Sequence, residues 1–176
     1  MKLTPSSFTG VSLERQQQIL EHIKAHPLGS YVFSGAPGVG KTTFMRELQR
    51  LSWEAQWKNH AVYAKTGTQF QHDATAAARG ERVAGGFVRP QELDAAQGWG
   101  IRWSIFLDDL DKISGSEFIR KELFGLSDAV IQERKMTTQL VITTNMRKSE
   151  FAKYFGDHIC WRVERHCHWV TVERES

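Results

Sequence analysis

Cysteine is scarce in this chain: Cys160 and Cys167 are the only two in 176 residues. A disulfide scaffold needs more, so both thiols read as reduced, flanking what reads as a turn-and-strand segment. Long apolar runs are missing. Every uninterrupted apolar stretch falls far short of the ~18 residues that suggest a membrane span, and the N-terminal MKLTPSSFTG has no apolar signal core. The expectation is a soluble, cytoplasmic protein with no membrane partner. Internal repeats, low-complexity tracts and interdomain linkers are also absent. The chain therefore reads as one domain over 1–176, with an N-terminal docking segment and helix at 1–28 and a core at 29–176. A hydrophobic content of 40% is enough for an ordinary core without metal or disulfides. There is no strong excess of one charge: the formal net charge is +3, although the pI is near 9.0. Acids concentrate at Asp108, Asp109 and Asp111, while 147–165 is mostly basic, with Lys148, Lys153 and Arg162 inside it. That distribution suits either a solvated surface or a nucleic-acid face.

What is present alternates apolar strands with amphipathic helices. Ser12 can cap a helix from Leu13 to about His26, which Pro27 forces to end. Tyr31–Ser34 reads as a short buried strand. A helix from Lys41 to about Lys58 carries Phe44, Met45, Leu48 and Leu51 at helical spacing, as core residues do. His60–Lys65 reads as a strand and Gln69–Ala78 as a helix. RGERVAGGFV, from Arg79 to Val88, has three glycines and no periodicity and reads as a mobile loop, before a short helix from Pro90 to about Gln97. Trp103–Leu107 is the next strand, and Ser116 can cap a helix to about Lys135 with Ile119, Leu123, Leu126, Val130 and Ile131 as its buried stripe. Gln139–Thr144 is a strand, Ser149–Tyr154 a short helix closed by Gly156, and His168–Val172 a last strand. Continuously apolar strands alternating with helices predict an α/β fold with a mainly parallel sheet covered on both faces.

Between the first strand and the second helix lies Gly35-Ala36-Pro37-Gly38-Val39-Gly40-Lys41-Thr42, followed by Thr43. Glycines at 35, 38 and 40 let successive backbone N–H groups turn inward around a phosphate at dihedrals a Cβ would obstruct. Lys41 supplies a point charge to the β- and γ-phosphates, the Thr42 hydroxyl suits Mg²⁺, and the helix start directs its positive end at the anion. The strand before and the helix after are the context a phosphate loop requires, so Gly35 to Thr43 form the expected ATP site. A hydrolytic site also needs an acid for Mg²⁺ and a base for water. Asp108 and Asp109, at the end of the strand Ile105-Phe106-Leu107, supply that pair, Asp108 for Mg²⁺ and Asp109 for the attacking water.

The next strand, Leu140-Val141-Ile142-Thr143-Thr144, ends in Asn145. Here the chain resembles the AAA+ ATPases, which carry a polar residue at the tip of the strand between the two phosphate-binding strands, where it meets the γ-phosphate or the lytic water. Asp108-Asp109 followed by Leu110-Asp111-Lys112, with Glu122-Leu123-Phe124 in the long helix, resembles the DnaC and IstB branch of helicase loaders and transposition helper ATPases. The resemblance runs from about Phe8 to Val172. It implies a three-layer P-loop NTPase of the AAA+ type with a five-stranded sheet, ATP and Mg²⁺ as ligands, and catalytic roles for Lys41, Asp109 and Asn145. It also implies an arginine that reaches a neighbouring subunit's γ-phosphate, which falls on Arg162, with Arg165 as the alternative. The implied partners are DNA, single-stranded by preference, a replicative helicase or a transposase, and further copies of the chain joined through ATP interfaces. About thirty residues precede the first core strand, fewer than the helicase-gripping region of such loaders. With the chain ending at Glu175-Ser176, no helical lid and no second sensor arginine are expected.

Other patterns are weaker. His158, Cys160, His166, Cys167 and His168 lack the paired spacing of a zinc site and read as packing residues beside a strand. Among Trp53, Trp57, Trp99, Trp103, Trp161 and Trp169 there is room for a base-stacking platform, though their spacing fits packing better. Arg79, Arg82, Arg89 and Lys112 are the favoured DNA contacts. Two other functions share the same loop: an ATP-gated assembly adaptor with little turnover, and a P-loop small-molecule kinase, against which stand the Asp108-Asp109 pair, the Thr-Thr-Asn strand end and the lack of an arginine-rich lid.

Overall fold

The computed structural model describes residues 10–56, 60–83, 102–132 and 138–174. Its elements run α1 (Leu13–Ala25), β1 (Tyr31–Ser34), α2 (Lys41–Gln56), β2 (His60–Thr66), α3 (Gly67–Ala78), β3 (Arg102–Asp108), a 3₁₀ turn (Leu110–Lys112), α4 (Glu117–Gln132), β4 (Thr138–Thr144), α5 (Lys148–Phe155), α6 (Asp157–His166) and β5 (His168–Thr171). The short helix expected from Pro90 and much of the expected mobile loop lie outside the described residues.

The five strands form one sheet in the order β2-β3-β4-β1-β5, and every pairing is parallel. The strand that ends in Asn145 thus lies between those that lead into the glycine loop and the acid pair, as the resemblance implied. Alternation along the strands splits the core in two. Val32, Ile105, Leu107, Leu140 and Ile142 point to one face, where Phe70, Ile119, Leu123, Phe151 and Val163 cover them from α3 to α6. Tyr31, Phe33, Phe106 and Val141 point to the other, against Ile19 and Ile23 of α1 and Phe44 and Leu48 of α2. Both faces being covered is why the strands read as apolar runs. A parallel sheet also brings the C-terminal ends of its strands, and the loops that follow them, to one edge, where ligands of α/β sheets bind.

Local chemistry sets the helix starts. Ser12 caps α1, its hydroxyl accepting from the Arg15 amide at 3.2 Å. The third helix begins two residues earlier than its periodicity suggests because Thr66 and Gln69 form a reciprocal capping box, with hydrogen bonds of 3.2 and 3.0 Å. One expectation is overturned: the stretch before Cys167 is the helix α6, not a turn and strand. Ile159, Cys160 and Val163 are buried at helical spacing, and tertiary burial of that stripe outweighs the weak helix propensity of a segment rich in aromatic, β-branched and histidine residues. Both cysteines are free and buried, and burial pushes the Cys167 thiol up to about 12. Among the described residues no group of three His, Cys, Asp or Glu is arranged to hold a metal ion, and no helix is long and apolar enough to cross a membrane.

Candidate functional site

The glycine loop leaves β1 at the ligand edge of the sheet. Gly35, Gly38 and Gly40 have φ of 147°, 81° and 90°, values that L side chains rarely adopt. At Gly35 the space is closed as well: a Cβ there would lie 2.1 Å from the Val172 carbonyl oxygen. Val39 is fully buried and anchors the loop in the core beneath it. The first turn of α2 follows directly, so Lys41 and Thr42 stand where the helix dipole is most positive.

Lys41 is 5% exposed. Its ammonium donates to the carbonyl oxygens of Gly35 and Ala36 and to Asn145 Oδ1, each at 2.8 Å. Burial lowers its pKa, while the carboxylates of Asp109, Asp111 and Asp108 push the other way. The Thr42 hydroxyl donates to Asp108 Oδ1 at 2.9 Å, and the same oxygen accepts from Thr143 Oγ1. Thr143 Oγ1 in turn accepts from the Asp109 backbone N–H at 2.8 Å. This joins the tips of β3 and β4. Asp109 is the one non-glycine residue with positive φ among the described residues (φ 53°, ψ 49°), and its carboxylate pairs with Lys112 at 2.5 Å. A cavity of about 470 Å³, lined by Gly38, Lys41, Thr43, Asp109 and Asn145 among others, opens over the loop. A second, of about 930 Å³, adjoins it on the β5 side beside Ala36, Asn145 and Trp169. Both fall in the size range of small-molecule sites.

These residues fit a magnesium nucleotide. The loop's glycines hold the positive φ values at which backbone N–H groups turn toward an anion, a buried cation sits beside it, and a hydroxyl and a carboxylate at 2.9 Å supply hard oxygen donors of the kind Mg²⁺ takes.

No protein-family model matches the chain, and no curated protein matches it. Solved structures do. The crystal structure of the DnaC helicase loader superposes with a TM-score of 0.70 at 15% identity, over 92% of this chain and 92% of that one. The fold is that of the AAA+ ATPases. Domain III of the Thermotoga maritima replication initiation protein DnaA follows at 0.64 and 14%, over 99% of this chain and 69% of that one. The Aeropyrum pernix ORC1 protein, solved in complex with DNA, gives 0.59 and 17%, over 97% of this chain and 47% of that one. At such identities the likeness is one of fold.

Within the AAA+ fold, Lys41, Thr42, Asp108, Asp109 and Asn145 converge on one edge, as their spacing suggests. Arg162 does not join them. It lies on α6, where its Nε donates to Asp128 Oδ1 at 2.7 Å and its guanidinium stands 4.3 Å from the centroid of the Phe124 ring. Arg165 lies over the Trp161 ring at 5.1 Å. Of the tryptophans, Trp53 and Trp161 are about half exposed, Trp169 donates to Ser34 Oγ at 2.9 Å, and Trp57 and Trp99 lie outside the described residues. Of the suggested DNA contacts, Arg79 and Arg82 are exposed, Lys112 is engaged with Asp109, and Arg89 lies outside the described residues.

Three residues at this site had no assigned role in the sequence. Thr143 ties Asp108 to Asp109, and a polar residue one step before a strand tip was the available signal. Asp111 accepts from Asn145, and only its nearness to the acid pair hinted at it. Arg174, just past β5, donates to the Pro37 carbonyl oxygen at 2.8 Å; nothing local in the sequence connects the two.

Proposed function

We propose that this chain is an Mg²⁺-dependent ATPase that acts on DNA, as a helicase loader or transposition helper. In this reading 1–28 is a docking segment, 29–176 is the nucleotide-binding core, and copies assemble through ATP-bridged interfaces. The observation that carries it is the convergence of Lys41, Thr42, Asp108, Asp109 and Asn145 around one glycine loop. The likeness to DnaC, DnaA domain III and a DNA-bound ORC1 supports the DNA side.

The chemistry follows from the donor set. Backbone N–H groups of Gly38 to Thr43 and the start of α2 bind the phosphates, and the Lys41 ammonium exchanges its carbonyl partners for phosphate oxygens. Thr42 and Asp108 would hold Mg²⁺, which when bound supplies positive charge to the transferring phosphoryl oxygens. Asp109 orients and deprotonates the attacking water once its carboxylate parts from Lys112. Asn145 lies beside the same position, and Arg162, released from Asp128, stabilises the developing charge on a neighbouring subunit's nucleotide. Removing such a finger costs about 10³–10⁵ in turnover in NTPases that use one.

Phosphate release measured with and without single-stranded DNA tests the reading. Turnover that rises with DNA and with chain concentration is expected; phosphate transferred to an acceptor other than water would replace it with a kinase. The pairing of Asp109 with Lys112 favours a second reading, an ATP-gated adaptor with little turnover. That reading predicts nucleotide-dependent assembly with phosphate release that DNA leaves unchanged.

A further inference from the structure

Asn145 is held by a clamp with a defined polarity. Its backbone N–H donates to Asp111 Oδ1 and its side-chain Nδ2 donates to Asp111 Oδ2, both at 2.8 Å, so both carboxylate oxygens are spent on one residue. On the other side its Oδ1 accepts from the Lys41 ammonium at 2.8 Å. The two ends of an asparagine amide are usually assigned from their neighbours. Here the neighbours leave no choice, because an ammonium can only donate and a carboxylate can only accept. The carbonyl end therefore faces the phosphate loop and the amide nitrogen is tied to Asp111.

The clamp has a firm base. Asp111 sits in the 3₁₀ turn between fully buried Leu110 and nearly buried Ile113. The start of α3 packs tightly beneath that turn: a Cβ on Gly67 would lie 2.6 Å from the Asp109 carbonyl oxygen and 3.1 Å from Leu110 Cα. A turn held this closely cannot follow Asn145 if the side chain swings.

We infer that Asp111 is a positioning residue that fixes the Asn145 amide with its oxygen toward the nucleotide, so that this oxygen acts as an acceptor for Lys41 and for the O–H of the attacking water. This rests on the ATPase reading of the site. Asp111 touches neither phosphate nor water. It sets which end of the sensor amide they meet, and it prevents the flip that would turn the nitrogen to Lys41 and set donor against donor. Orientation of this kind, supplied by a partner behind the reacting residue, is worth about 10–100-fold in metal sites, and the same range is expected here.

A reciprocal exchange tests the polarity. Asp111→Asn alone removes the acceptor-only partner and lets the Asn145 amide turn; kcat falls about 10–100-fold, while ATP affinity stays within about threefold because phosphate binding does not use Asp111. Asn145→Asp alone sets two carboxylates against each other and lowers kcat at least as far. The double exchange restores complementarity at the same net charge. The amide carried by position 111 then accepts from the backbone N–H of position 145 and donates to the new carboxylate there, which keeps its other oxygen facing Lys41. Recovery of kcat at saturating ATP to within about fivefold of the natural chain is expected; a double variant no better than the worse single variant overturns the inference. A second readout does not depend on turnover. In ¹⁵N-labelled natural chain without nucleotide, the Asn145 side-chain amide is identified by its loss in Asn145→Asp, and it should lie apart from the position of a freely solvated asparagine amide in a short peptide. In Asp111→Ala it should move toward that solvated-peptide position while the rest of the spectrum stays in place; an unmoved signal overturns the clamp even if ATP is hydrolysed. Absence of turnover in the natural chain with a signal that does move would overturn the ATPase reading and leave the clamp standing.

Discussion

Replacing Gly35 with alanine should damage stability and nucleotide binding together. The new Cβ would fall 2.1 Å from the Val172 carbonyl oxygen, well inside the 3.0 Å that real Cβ contacts keep. Relief requires a shift of about 1 Å, the scale of an overpacked core, which costs about 1–3 kcal/mol. Neither side of the contact can yield freely. Val172 is fully buried and donates its N–H to Ser34 at 2.7 Å, and the Gly35 N–H donates to the Thr144 carbonyl at 3.3 Å, so movement strains the junctions of β1 with β5 and with β4. The φ of 147° adds a further ~1–3 kcal/mol for a residue with a side chain. Together these amount to about 2–6 kcal/mol, or a fall in Tm of roughly 4–24 °C for a chain of this length. Gly80→Ala is the control. It shares a positive φ of 76° but has nothing within 4 Å of its Cβ, so only the backbone cost of about 1 kcal/mol remains, worth about 2–4 °C. Thermal unfolding with and without Mg²⁺-ATP reads both effects. At 100 times its Kd the nucleotide should stabilise the natural chain by about 2.7 kcal/mol, and Gly35→Ala should lose that gain while Gly80→Ala keeps it. If Gly35→Ala melts with Gly80→Ala and retains the full nucleotide shift, the loop is not packed against β5 as described.

Two further expectations concern the edges of the molecule. His22, His26 and His168 cluster beside Tyr31 with ring centroids 4.9 to 5.7 Å apart. Burial, then the charge of neighbouring histidines, lowers the pKa of His22 and His168 in the folded chain. The unfolded chain thus takes up more protons, and their contribution is complete above about pH 6.5 and lost as pH falls toward the folded values. Tm should drop between pH 7.5 and 5.5, and His168→Gln should flatten that slope; an unchanged slope would assign it elsewhere, His60 and His166 being similarly lowered. Arg162→Ala should bind ATP normally yet lose turnover, and mixing it with inactive Lys41→Ala should restore part of it, because each supplies what the other lacks across an interface. Mixtures as inactive as their parts would leave Arg162 as the partner of Asp128 alone.

Much of this fold was legible in the sequence because its strands are buried on both faces. Tyr31-Val32-Phe33 and Leu140-Val141-Ile142 have no polar face to mislead, and Gly35 to Thr42 announce their dihedrals through the glycines themselves. The acid pair was legible because a parallel sheet places strand ends at one edge. Other features rest on contacts between distant segments. Asp111 is one acid among three until the left-handed turn at Asp109 brings it under Asn145. The helix at Asp157–His166 exists because Ile159, Cys160 and Val163 find a buried seat, which local propensity does not reveal. Arg174 meets Pro37 only because β5 pairs with β1. Arg162 was suggested by resemblance, and its tie to Asp128 depends on how α6 packs on α4.

The central claim is that these residues form a hydrolytic site, and one comparison tests it most directly: ATP binding and single-turnover phosphate release in the natural chain and in Asp109→Asn. The account predicts binding within about threefold in the two proteins, with release slowed at least about 100-fold in the variant, as expected when a general base is removed. Equal release from both, or none from the natural chain at any concentration with DNA present, would contradict it.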